Sequence, residues 1–370
     1  MKAAAGVLVA VCPALLVSCG GNGTDVEEEA GPVLLAVVDS IGVELGDSNY
    51  VFGSIMSIEA GPDGLLYVLD RGRGRVMVYD SSGTFVRQIA SPGSGPGELL
   101  NPLSMAVLGD GRITVCAAYN GGMYTYGPDG AWEGLTASFA SNPPLLMEGA
   151  DSNAYVALKL DIDVDESGGL TQRVRIGRYE QGGEPVACYH DATSPFDPTD
   201  LTSLMRESYL GYVYGASADG TVAVARRASG EYRIELYASD GSPLALLEGV
   251  PEQVPKAEDE IADEKAFVES LLNSMGASGV IIEYEPDPFR EQVYGVGFDG
   301  ADRVWVQRGT RDVPAFDVWS RAGELLFTAE VDSPGSDLFF WEVEFGPETM
   351  YAYSMDPEAY QKIYVIPLPD

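Results

Sequence analysis

His190 is the only histidine in the chain. That removes any histidine-rich metal site, and it forces every Ser–His–Asp arrangement through one side chain. The remaining chemistry is acidic or cationic. Asp161, Asp163 and Asp165 alternate in "LDIDVDESGGL". Alternate residues of a strand share a face, so three carboxylates gathered there are a candidate site for Ca²⁺ at the concentrations found outside cells. The spacing is not that of a twelve-residue calcium loop, because Glu166 stands where the turn glycine belongs and Gln172 where a bidentate glutamate belongs. The plainer reading is a solvated hairpin tip. The one dense basic patch is "DRGRGR", residues 70–75. Asp70 or a neighbouring carboxylate would satisfy Arg75 across a hairpin. At a channel mouth, Arg71, Arg73 and Arg75 would offer guanidinium groups to a ligand carboxylate or sulfate, which makes Asp70 to Arg75 the candidate binding loop.

"ELGDSNY" (44–50) resembles the Gly-Asp-Ser hydrolases, but that family also needs an Asp three positions before its histidine, and position 187 is Ala. Ser48 is therefore read as a turn residue, and no catalytic residue is assigned. Cysteine chemistry concentrates at the start of the chain. "MKAAAGVLVAVCPALLVSCGG" has one lysine and an apolar run too short for a comfortable bilayer span, the pattern of a secretory signal over residues 1–18. Leu16-Val17-Ser18-Cys19 resembles the bacterial lipobox. The resemblance implies acylation of Cys19 by palmitate-like chains, a flexible linker over 19–32, and a lipid-anchored protein of the cell envelope. Each buried methylene contributes about 0.8 kcal/mol, so several chains hold firmly. Gly20 after the cysteine implies the outer membrane of a two-membrane bacterium, with the body facing the periplasm or the exterior. Cys116 and Cys188 are then the thiols left in the body, too few for a disulfide framework or a CxxC metal pair. They are expected as small buried hydrophobes, with pairing in an oxidising compartment as the alternative.

The chain has 370 residues and a formal charge of −35. That excess repels phosphates and anionic lipid, so nucleic acid is excluded as a partner and membrane contact is left to the anchor. A cationic partner or a salty habitat suits such a surface.

The elements that must position these residues repeat. "IEAGPDGLLYVLDRGRGRVMVYDSSGTFV" (58–86) and "MAVLGDGRITVCAAYNGGMYTYGPDGAWEGL" (105–135) share one order: strand, Asp-Gly turn, alternating strand, glycine turn, strand, second polar-Gly turn, strand. Gly64 to Gly83 and Gly111 to Gly130 are each 19 positions apart, and Gly220 to Gly241 in a third copy (215–247) are 21 apart. Asp-Gly between alternating apolar residues is a strong hairpin signal. A weaker copy covers 295–326, and degenerate ones cover 146–189 and 341–368. Four short antiparallel strands at such a period read as a propeller blade, which buries its faces only by stacking on neighbours. Six blades are expected, with "VLLAVVDSIGVEL" (33–45) supplying the outer strand of the last and closing the ring. "GSGPGELLNPLSMAV" (93–107) followed by "GDGRITV" is similar to the opening of an NHL repeat, and "VLDRGRGRVMVY" to that family's strand-turn-strand, with Arg73 replacing its usual Asn. The resemblance is clear over about 51–135 and implies an NHL-like six-bladed propeller of bacterial envelope lipoproteins.

The fold class expected is thus all-β, a six-bladed propeller of four-stranded antiparallel blades over 33–370, closed by an N-terminal strand and carrying one helical insertion at 251–289. Within it, Ile261, the Lys265 stem, Val268, Leu271, Leu272 and Met275 recur at helical spacing. That helix either packs across a face as a plug or acts as a lid or docking element. Aromatics such as Tyr124, Tyr212, Trp305 and Trp341 fall on strands, where they suit packing between blades.

Function follows as an expectation from fold analogy. The first reading is a non-catalytic envelope module, without a cofactor, that binds a protein, peptide or glycan through its loop face and insertion. The rival is a metal-dependent lactonase, hydrolase or lyase with a hard cation such as Ca²⁺ in a carboxylate-lined channel. A third is a structural component of a larger envelope assembly.

Overall fold

The glycine turns do what their composition requires. Gly64, Gly83, Gly111, Gly130, Gly220, Gly241 and Gly323 all adopt left-handed backbone with φ between 76° and 87°. In five of the first six turns the Asp just before the glycine accepts a backbone N–H two residues on: Asp63 from Leu65, Asp110 from Arg112, Asp129 from Ala131, Asp219 from Thr221 and Asp240 from Ser242; Asp80, three positions before Gly83, accepts from Ser82. A β-carbon costs most at positive φ, which is why glycine recurs there.

The computed structural model describes residues 31–370 except 118–121, 139–142, 165–166, 181–183, 199, 201–206, 208–210, 275–283, 311–312, 333–340 and 355–359. The signal segment 1–18, Cys19, the linker up to residue 30, Asp165 and Met275 lie outside the described residues. Two short strands come first, β1 (Val33–Ala36) and β2 (Asp39–Ile41). Five sets of four follow: β3 (Ile55–Ala60), β4 (Leu66–Asp70), β5 (Arg75–Tyr79) and β6 (Phe85–Ile89); β7 (Pro102–Val107), β8 (Ile113–Ala117), β9 (Gly122–Tyr126) and β10 (Trp132–Ser138); β11 (Leu145–Asp151), β12 (Ala154–Val164), β13 (Leu170–Tyr179) and β14 (Ala187–Pro195); β15 (Tyr212–Ala216), β16 (Val222–Arg226), β17 (Arg233–Tyr237) and β18 (Pro243–Glu248); β19 (Gly295–Phe298), β20 (Val304–Gln307), β21 (Ala315–Trp319) and β22 (Leu325–Asp332). The last blade has β23 (Trp341–Phe345), β24 (Thr349–Ser354) and β25 (Ile363–Pro367).

These form six antiparallel blades, and β2 pairs with β25 as the outer strand of the sixth, so the two ends of the body close the ring. The expected architecture holds. One strand was not foreseen: β1 adds in parallel to β22 and makes the fifth blade five-stranded. It covers the edge that blade would otherwise expose, and Leu35 seats in the adjoining core.

The inner strands β3, β7, β11, β15, β19 and β23 are each other's neighbours in that order around the axis, with β23 returning to β3. The apolar core is correspondingly divided into six clusters, one in each seam between adjacent blades. Trp305 and Trp341 fill the seam between blades five and six, Tyr67 and Tyr126 that between one and two. This is the stacking requirement of a blade realised, since no blade has a core of its own.

The joint at 93–104 carries the chain from the outer strand β6 to the inner strand β7. Gly97 is left-handed at φ 74°, and a β-carbon on Gly74, in the turn beneath, would lie 2.5 Å from the Leu99 carbonyl. The glycines are there because two stretches of backbone touch.

The helix α1 (Glu258–Ser274) interrupts the β18–β19 connection. Glu260 Oε2 accepts the Ala257 N–H at 2.6 Å, half of a capping box. Ile55 pairs with Asp70, and Gly295 with Gln307, at the beginnings of β3 and β19. The β4–β5 turn and the insertion therefore share the face on which inner strands begin.

Candidate functional site

An inner strand pairs on one side only, so its other edge presents N–H groups to the axis without a ladder partner. Three glutamates accept several of them. Glu344 on β23 takes the Ala60 N–H of β3 at 3.0 Å, and Glu59 on β3 takes the Gly149 N–H of β11 at 3.4 Å. Glu59 also accepts from Val107, and Glu148 on β11 accepts from Ala216 on β15. Each carboxyl thus leans toward a strand further round the ring. One acceptor is left over, because Glu148 Oε2 is fully buried and has no hydrogen-bond partner.

The repeat explains where these acids stand. The N–H groups of Gly61, Leu108, Ser217, Asp299 and Gly346 close equivalent turns after the inner strands. Two residues earlier stand Glu59, Ala106, Gly215, Gly297 and Glu344. Small residues dominate because the strands crowd: a β-carbon on Gly215 would lie 2.6 Å from the Val296 carbonyl. In the third blade Gly149 occupies this level, and register shifts flank it and Glu148.

Removal from water pushes all three carboxyls upward, as burial of a charge without a counter-ion must. Burial, then the charges of Glu344 and Glu148, lift Glu59 well above its ordinary range. Burial, then the charge of Glu344, does the same to Glu148. Burial raises Glu344 to about 7, against the pull of the Ala60 N–H. Among the described residues no arginine or lysine contributes to any of the three.

These side chains border one axial cavity of about 540 Å³, whose walls come from β3, β11, β15, β19 and β23 and whose roof includes Glu260, Glu264, Phe267 and Val268 of α1. The volume is that of a small-ligand pocket. Toward the roof the charges are paired. Arg227 meets Glu342 at 3.3 Å, lies 4.3 Å from the Tyr294 ring, and donates to the Tyr294 carbonyl at 2.8 Å. Lys256 bridges Glu264 at 2.8 Å and Glu291 at 3.0 Å, while Arg290 meets Glu260 at 2.7 Å. Arg226 meets Glu207 at 3.2 Å, and the Tyr284 hydroxyl donates to Glu264. Burial lowers the Lys256 pKa, but the Glu291 and Glu264 charges outweigh it and hold the ammonium above its ordinary value. The helix is thus latched by ion pairs as well as by apolar contact.

The residues singled out from sequence lie elsewhere. Asp70 and Arg75 are buried and bonded to each other at 3.0 Å. Asp70 Oδ1 also accepts from Gly53 and Ser54, and Arg75 donates to the Ser48 and Val51 carbonyls. This pair clamps the 48–54 loop and presents nothing to a ligand. Arg71 donates to Asn101 at 2.9 Å and, like Arg73, is half-buried. Asp161 is held by Arg175 at 2.8 Å, Asp163 is exposed, and Asp165 lies outside the described residues. Among the described residues no group of three or more His, Cys, Asp or Glu side chains is placed to hold a metal ion. His190 rests on the Tyr212 ring at 4.4 Å, and burial followed by the charge of Arg226 lowers its pKa. Cys116 and Cys188 are both free; Cys116 is buried as expected, whereas Cys188 is exposed, on an edge position of β14. On α1, Val268 is buried and Ile261 half-buried, but Lys265 is exposed and Glu260 takes an inward place. An acid paired with the half-buried Arg290 satisfies that position, which apolar periodicity does not register. The side chains of Leu271 and Leu272 lie outside the described residues. No helix among the described residues is long and apolar enough to cross a membrane.

The profile of a family described as a 6-bladed beta-propeller, DUF5128, matches residues 41–133, and the fold is that of a six-bladed β-propeller. No curated protein matches the chain. Similar solved structures include the calcium-binding protein regucalcin from Agrobacterium tumefaciens, at 11% identity and TM-score 0.48, over 91% of this chain and 97% of that one. A DUF4221 member from Bacteroides vulgatus is 10% identical at TM-score 0.47, over 90% and 97%. A gluconolactonase from Xanthomonas campestris is 15% identical at TM-score 0.43, over 93% and 99%.

Proposed function

We propose that the chain is a non-catalytic binding propeller of the cell envelope, lipid-anchored through Cys19, whose ligand sits in the axial cavity beneath α1. The observation that carries the reading is the roofed cavity itself, a space of about 540 Å³ lined by five inner strands and by α1 of the insertion. A strand-to-strand link needs no such excursion, and ion pairs from Lys256 and Arg290 hold α1 beside the cavity. The binding surface proposed moves from the β4–β5 loop, whose Asp70 and Arg75 are engaged in the clamp, to the channel.

The test is ligand-observed NMR screening of small molecules, peptides and glycans against the full chain and a variant in which residues 251–289 are replaced by a short Gly-Ser link. Hits should weaken at least about tenfold without the insertion. Hits indifferent to it would overturn the cavity as the site.

One observation favours the rival enzyme: the channel is lined by carboxyls whose pKa values are raised, a frequent mark of acid–base sites. The donors do not fit a metal as placed, so the metal-dependent form finds no site among the described residues. Turnover of lactones or esters that chelation abolishes would reinstate it.

A further inference from the structure

Charge in the cavity is unevenly distributed. Among the described residues nine acidic and four basic side chains border it. All four cations stand near the roof, each against a glutamate: Arg226, Arg227, Lys256 and Arg290. The floor is the reverse, with Glu59, Glu148 and Glu344 drawn from three different blades and no cation among them. Their N–H partners account for part of their acceptor capacity, while Glu148 Oε2 remains wholly buried and unpartnered. Tyr214 and Tyr353 also border the cavity. Their hydroxyls are already committed, to the Leu145 and Met56 carbonyls at 3.1 and 3.3 Å, so they offer ring surface to whatever sits beside them.

Building on the cavity as the binding site, we propose that its ligand is a small organic amine. Its ammonium seats among Glu59, Glu148 and Glu344, and its apolar body lies under Phe267 and Val268 of α1. Three carboxyls spread over three blades are not set to close on a bare metal ion. An ammonium carries three N–H donors on a flexible stem, matches three acceptors, and is attracted to tyrosine faces. A desolvated acid trio also selects against anions, because each added negative charge has no counter-ion to meet.

Binding must then displace protons. The ionisable groups that bear on the trio are one another, Tyr214 on β15 and Tyr351 and Tyr353 on β24, with the Arg227–Glu342 pair nearer the roof. An ammonium stabilises the ionised carboxyls, and Glu344, which titrates at about 7, is the first to give up its proton.

The experiment is isothermal titration of the full chain with phenethylamine, 2-phenylethanol and phenylacetate, which share a skeleton and differ in charge, and with CaCl₂. The amine alone should saturate a site. Its affinity should rise about tenfold from pH 6 to pH 8, as expected for release of one proton by a group near 7. Its enthalpy should differ between buffers of unlike ionisation heat, which needs no variant. Glu59→Gln with Glu344→Gln should weaken the amine at least tenfold. If the alcohol or the acid binds as well as the amine, the amine assignment falls while the cavity remains the site. Amine affinity unchanged in the double variant, or Ca²⁺ saturating where the amine does not, also overturns it. If no probe binds and the broader screen finds no ligand that senses the insertion, the cavity reading falls with it.

Discussion

Glu344→Gln isolates what it costs to hold a carboxylate at the axis. The amide oxygen can still accept the Ala60 N–H, so the variant removes ionisation and little else. In the folded chain the carboxyl titrates at about 7 against an ordinary 4.5, because burial disfavours the charged form. A raised carboxyl means that the folded state binds more protons than the unfolded state between those two values. Stability from the protonated form is complete below about 4.5 and is lost as pH rises through about 7. At about 1.4 kcal/mol per pH unit the interval is worth about 3 kcal/mol, as an upper figure because Glu59 and Glu148 share the site. The assay is urea unfolding of wild type and variant from pH 4.5 to pH 8. The slopes contributed by acids away from the axis are common to both proteins and cancel in the difference, whereas Glu59 and Glu148 respond to the loss of the Glu344 charge. The variant should gain up to about 3 kcal/mol on wild type between the two ends of that range. A difference that stays constant with pH, or that grows toward low pH, would refute the reasoning that burial sets the titration of Glu344.

Arg75→Met should destabilise by about 3 kcal/mol or more in the same unfolding assay, since it strands Asp70 as a buried charge at 0% exposure. Gly149→Ala should cost at least about 2 kcal/mol and broaden the unfolding transition, because the added carbon would lie 2.0 Å from the Val107 carbonyl where β11 meets β7. Cys19→Ala should abolish incorporation of labelled palmitate and release the chain from the membrane pellet; labelling that persists would place the anchor elsewhere.

The scaffold was legible because turns and apolar alternation are local. Polar-Gly turns 19 to 21 positions apart announce hairpins, and recurring hairpins announce blades, so even the degenerate units at 146–189 and 341–368 fell on blades three and six. The closing strand could be read for a related reason, since the sixth unit had strands for only three positions. The parallel β1 could not: its four residues gain their place from an edge of β22, nearly 300 positions away, and nothing local marks that partner.

The site was missed because its signal is an exception within the repeat. Aligned on the turns, the residue two before closure is Glu59, Ala106, Gly215, Gly297 and Glu344. An acid at a level where strand crowding otherwise permits only small side chains must extend along the axis, and that contrast was present in the letters. Reading it requires knowing which turn residues are equivalent, and Glu148 escapes even then, because register shifts in β11 displace it from the pattern by one residue. Conspicuous charge misled in the opposite direction. "DRGRGR" stands out on an acidic chain because a clamp needs a guanidinium that reaches Asp70 and two carbonyls at once, a requirement of folding satisfied inside the blade. On a chain with charge −35 the informative acids are those without a cation, and which carboxyls lack one is decided by the arrangement in space.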